Sequence, residues 1–161
     1  MLGPGLALEQ APPFSAPLRF FLTAPWFLAA AGLVAAWPQA WSGSPLSPAS
    51  LAMTHLATLG FLGMAMLGAL TQMLPVVAGS PLPGVRAVAT LSHAGLALGT
   101  PLLAWGLASG EAAVLDAAGI VLGLGLTTFL IPAAVSLARG RTMDTVRAMA
   151  LALAALAGTL A

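Results

Sequence analysis

The chain has 161 residues, 60% of them hydrophobic and 6% charged, with a formal net charge of +1, no lysine and no cysteine. Soluble domains carry about a quarter charged residues, so this composition excludes a soluble globule and places the chain in a lipid bilayer. Missing cysteine excludes disulfides, thiolate metal sites and thiol catalysis, and five scattered arginines make no stripe for nucleic acid.

A span needs about 20 mostly apolar residues, and five stretches meet or approach that length. Residues 1–17 hold four prolines and two glycines and read as a loose N-terminal tail. The spans follow at about 18–37, 48–77, 85–108, 112–138 and 145–161. Glycine and proline punctuate the links between them, as turns require. Ser47 and Pro48 form an N-cap and first helical residue for the second span. The fold class is therefore all-α, a polytopic membrane helix bundle forming a single transmembrane domain. The apolar end at Ala161 suggests a piece of a longer protein, or a small protein that relies on partners.

The arginines set the orientation. Arg19 precedes the first span, Arg86 lies between the second and third, and Arg139, Arg141 and Arg147 cluster between the fourth and fifth. With alternating spans these all fall on one side. The positive-inside rule puts that side, and the N-terminus, in the cytoplasm. Trp37, Trp41, Trp105 and Glu111 fall at the opposite ends. The reading is a multi-pass protein of a bacterial-type inner membrane.

Small residues recur inside the spans: Gly60, Gly63 and Gly68 in the second, Gly95 and Gly99 in the third, Gly119, Gly123 and Gly125 in the fourth. In lipid, small residues let helix backbones approach closely. Pro25, Pro101 and Pro132 each remove a backbone donor within a span. One weaker reading makes Pro101 and Pro132 hinges of a transport path lined by Gln72 or Asp116.

The two histidines, His55 and His93, both fall inside spans, where an ionisable group is a functional candidate by default. A neutral histidine donating one hydrogen bond to a neighbouring helix is the plainer alternative. Counted at ~1.5 Å per residue, His55 is about 10 Å from the outer end of its span and His93 about 12 Å from the cytoplasmic end of its own. Two imidazoles on one iron each need a nitrogen about 2 Å from the metal. For spans that are upright neighbours, a depth difference of roughly 10 Å therefore forbids His55 and His93 from sharing one iron. His55, Thr58, Leu62, Met66 and Met73 follow helical spacing on one face. Apolar side chains beside glycine gaps suit a flat macrocycle, and methionine is a soft ligand for copper or haem iron. A methionine stripe also arises from ordinary packing.

The stretch from Met53 to Gly79, with His55, Gly60-Phe61, Gly68, Pro75 and Gly79, resembles the second helix of the NnrS-type and haem–copper oxidase subunit I superfamily. NnrS-type proteins carry a His-x-His-Glu-Met-x-x-Gly-Phe stretch followed by a glycine, a proline and a glycine. The resemblance covers about the first half of the chain. It implies haem b held through His55 near the outer leaflet. Thr58 and Met66, on the same helical face, and His93 are further cofactor-binding candidates from their positions, and copper is a less supported alternative. The resemblance implies a role in respiratory or nitric-oxide-related electron transfer or sensing. Met53 stands where the first NnrS histidine would be and Leu56 where its glutamate would be. The chain also lacks the later helices that supply an oxidase active site, so oxygen reduction is not expected. A second haem ligand would come from a homodimer, joined through the glycine-rich face of the second span, or from another membrane subunit; otherwise the haem is five-coordinate. The competing expectation is a cofactor-free structural or assembly subunit.

Overall fold

The computed structural model describes residues 6–40, 44–140 and 143–159. Among these there is no strand, and five helices dominate. They are α1 (Ser15–Ala35), α2 (Pro48–Ala78), α3 (Val85–Ser109), α4 (Ala112–Arg139) and α5 (Asp144–Gly158). Helices α1 to α4 are long and apolar enough to cross a membrane, which makes this a multi-pass membrane protein. The fifth predicted span appears as a helix of 15 residues, roughly 22 Å long and thus shorter than the ~30 Å hydrocarbon core.

The links behave as the turn residues require. The Ser47 side chain accepts from the Ser50 amide, with Pro48 in the first turn. Gly79 ends α2 at φ 67°, Gly84 precedes α3 at φ 61°, and Gly110 ends α3 at φ 75°. Only glycine enters that region without a steric penalty. The N-terminal stretch is not loose over its described part, which corrects the expectation for residues 6–14. Leu8–Gln10 form a 3-10 turn, Ala7 is buried, and its amide donates to Val76 O at 3.0 Å. The segment docks because it supplies a donor to a carbonyl at the end of α2.

Packing follows the small residues. Antiparallel α1 lays Phe20 on Gly68 and Phe27 on Gly60 of α2. Helices α3 and α4 cross with backbones touching, a β-carbon on Gly95 falling 2.5 Å from Gly125 Cα. Gly99 and Gly106 of α3 receive Leu122 and Leu115 of α4. Buried Ser136 of α4 donates to Ser80 O at 2.8 Å, and Gly140 lies against Ala78. These contacts gather the starts of α1 and α3 and the ends of α2 and α4, so Arg19, Arg86 and Arg139 share one face of the bundle. Trp37, Ser47 and Trp105 line a common cavity at the other end. The one-sided arginines are thus reproduced in three dimensions; Arg141 and Trp41 lie outside the described residues.

Within α2, Leu56–Gly63 is a π-helix. Three side chains just before and within it bond to carbonyls four residues back: Thr54 to Ser50 O, His55 to Leu51 O and Thr58 to Thr54 O. Such back-bonding loosens the helical ladder, and Gly60 and Gly63 offer little resistance. The widening has a geometric use. Ala52, Leu56, Gly60, Met64 and Gly68 recur every four residues and all are buried. In a plain α-helix each four-residue step overshoots a full turn by about 40°. The wider turns absorb that drift and keep this row facing the bundle.

Candidate functional site

His55 is the last residue before the π-helical segment. Its Nδ1 lies 2.7 Å from the Leu51 carbonyl. A carbonyl only accepts, so Nδ1 carries the proton and, in the neutral ring, Nε2 carries the lone pair. Nε2 has no partner among the described residues. The side chain is half-buried, at the border between the packed row and the outward row of α2.

That outward row is Thr54, Thr58, Leu62 and Met66, continued by Met73. Leu62, Met66 and Met73 are each more than half exposed. Thr58 donates its hydroxyl to Thr54 O. The stripe expected from spacing is therefore present, and it faces away from the bundle. Met66 is eleven residues beyond His55, more than roughly 10 Å along the helix, so the two cannot hold one iron between them. The glycine gaps of α2 are filled: Phe27 closes the one at Gly60, and Phe20 and Phe21 the one at Gly68. This corrects two expectations. The gaps offer no slot for a macrocycle, and the glycine face of α2 is not open to a second copy. The reason is that α1 of the same chain needs that face to bury its own phenylalanines.

His93 belongs to a different place. Its Nε2 lies 2.8 Å from Thr23 Oγ1, and Phe20 meets its ring edge-on at 5.4 Å. The Thr23 hydroxyl already gives its proton to Arg19 O at 2.9 Å. His93 therefore donates from Nε2, the opposite tautomer from His55. Arg19 itself reaches Thr90 Oγ1 at 2.6 Å. These four side chains tie α1 to α3 near the arginine-bearing face. Phe20 contacts both His93 and Gly68, which sets His93 at the depth of Gly68, thirteen residues beyond His55. The two histidines are separated in depth by roughly 15–20 Å, more than helix-end counting implied. The difference arises because α2 has 31 residues, roughly 45 Å, and exceeds the hydrocarbon core.

Sequence paired neither His93 with Thr23 nor Arg19 with Thr90. The available signal was their shared position near the arginine-bearing ends of two spans. Cavities flank the half of α2 remote from the arginine-bearing face. One, of about 700 Å³, lies between Val34, Trp37, Leu56, Pro101 and Trp105; another, of about 510 Å³, lies between Leu28, Ala31, Met53 and Thr58. His55 lines neither. Among the described residues no group of three or more His, Cys, Asp or Glu side chains is placed to hold a metal ion. Comparison with family models, with curated proteins and with solved structures gives no match to this chain.

Proposed function

We propose that this is a membrane haem-binding protein in which His55 Nε2 would hold the iron, set in the outer half of a bacterial-type inner membrane with the arginine-bearing face cytoplasmic. The observation that carries the reading is the Nδ1–H bond from His55 to the Leu51 carbonyl. Metal-ligating histidines characteristically donate their other ring nitrogen to a carbonyl or carboxylate, which fixes the tautomer and the ring direction. The donor set suits one bond to a haem b iron; the exposed Thr58, Leu62 and Met66 row then provides an apolar surface on the same outward side. The bound group would supply one-electron redox chemistry or binding of a small gas, in a respiratory or nitric-oxide-related setting. This chain's residues would contribute one ligand; a second would come from a second copy or another subunit, or the iron would keep a single protein ligand. The test is the visible spectrum of the purified chain after haem supplementation. A Soret band is expected in the wild type and in His93→Ala, and its loss in His55→Ala with membrane insertion unchanged. A full haem complement in His55→Ala would overturn the assignment.

A second reading, a cofactor-free structural or assembly subunit, is favoured by the phenylalanine-filled glycine gaps. It is separated by the same spectrum, because it requires no Soret band in any variant.

A further inference from the structure

Between α4 and α5 runs a groove of about 520 Å³. Its lining is apolar, with Leu130, Ile131 and Leu137 on one wall and Val146 and Leu153 on the other, except for Arg147. Along α4 the lining extends from Leu130 to Ala138, and along α5 from Val146 to Ala157. That is roughly 12–16 Å of helix, about the depth of one leaflet of a ~30 Å core. The cation sits toward the arginine-bearing end. Arg147 lies in the first turn of α5, and exposed Arg139 closes α4 beside the same link. The partner of Arg147 is Asp144, at 3.3 Å with both side chains largely exposed. An exposed pair of this kind is worth little and exchanges readily.

We propose that this groove is a binding site for an anionic phospholipid of the arginine-side leaflet, its acyl chain lying between α4 and α5 and its phosphate meeting Arg147. One cation at the end of a leaflet-deep apolar slot is complementary to a negatively charged headgroup above a hydrocarbon tail. A choline lipid offers the same tail, but its own ammonium offsets the phosphate charge. The Asp144 carboxylate competes with the phosphate for Arg147, so it tunes the site downward. Nothing in this assignment depends on His55.

The full chain, purified in mild detergent, is titrated with phosphatidylglycerol and with phosphatidylcholine of identical acyl chains, and retained lipid is counted by native mass spectrometry. The wild type is expected to retain the glycerol lipid about fivefold better, the scale set by one arginine near an anionic lipid. Arg147→Gln brings the two lipids to parity, Arg147→Lys keeps the preference, and Asp144→Asn increases it. Ala154→Phe, which fills the groove, lowers retention of both lipids. Equal retention by the wild type or an unchanged preference in Arg147→Gln would each overturn the proposal. Arg147 and Asp144 are exposed, so these substitutions leave the packed helices intact.

Discussion

Phe27 sits directly over Gly60: a β-carbon at position 60 would stand 2.4 Å from Phe27 Cγ. Eight residues further along α2, Gly68 receives Phe20, seven residues earlier in α1. Two aromatic rings keyed into two glycines thus fix both the distance and the register of the first helix pair.

Gly60→Ala is expected to destabilise the bundle. Alanine gains about 1 kcal/mol of helix propensity, but overpacking against a buried ring costs about 1–3 kcal/mol. Gly119→Ala, where a β-carbon meets nothing within 4 Å, keeps the propensity gain and raises the melting temperature. Thermal unfolding in detergent checks both signs. A stabilised Gly60→Ala would show that Phe27 does not occupy this space.

Gly95→Ala is the more severe change, because its β-carbon meets the backbone of Gly125 and not a side chain that can rotate. The expected result is loss of a monodisperse, folded species in size-exclusion chromatography. Gly63→Ala is its control. The nearest atoms there stand at 3.5 and 3.7 Å, which is ordinary contact, and the variant should elute as the wild type does.

Thr100→Val is expected to be neutral or stabilising. Among the described residues, the hydroxyls of Thr100 and Ser92 are buried without a partner. An unmade hydrogen bond of this kind costs about 1–3 kcal/mol. Thr23→Val acts in the opposite direction, since it strips His93 of its acceptor; interhelical hydrogen bonds in membranes average about 0.6 kcal/mol. Comparing the two melting curves decides whether a given hydroxyl contributes to helix association.

Cysteine placed at Glu111 should react with an impermeant thiol reagent in intact cells, and cysteine at Pro83 only after permeabilisation. The native chain has no cysteine, so any signal comes from the introduced site. Labelling of both positions, or of Pro83 alone, in intact cells would contradict an inward-facing arginine side.

Helix positions were readable because apolar runs are broken by glycine and proline, and because Ser47 and Pro48 form a local cap whose geometry needs no tertiary partner. The side of the membrane that each end shares was readable from the arginines for the same reason. What fills the glycines was not, since Phe20 and Phe27 reach Gly68 and Gly60 only once α1 folds back. His93 meeting Thr23, seventy residues away in the chain, depends on the same event. The His55 tautomer belongs with the readable features in principle, as its acceptor lies one turn back, yet α-helical counting did not reveal it. The π-helical stretch left one trace in the sequence: the four-residue recurrence of Ala52, Leu56, Gly60, Met64 and Gly68, a spacing that drifts on an ordinary helix.

The stretch Leu56–Gly63 also holds slack in the chain. Each of its backbone bonds closes over one residue more than an α-helical bond does. Removing a single residue there, such as the exposed Leu62, would let the ladder close as an α-helix. The widened turns would give up their surplus, and the flanking segments would keep their mutual orientation. Gly68 would still meet Phe20, and Ala78 would still meet Gly140. A one-residue deletion nearer the end of α2, at Leu70 for instance, has no such surplus to draw on. It would rotate the remainder of the helix by about 100° and carry Ala78 away from Gly140. Tolerance to a change of length in α2 is therefore concentrated in one stretch, which begins immediately after the histidine, contains the first aromatic key at Gly60 and ends before the second at Gly68.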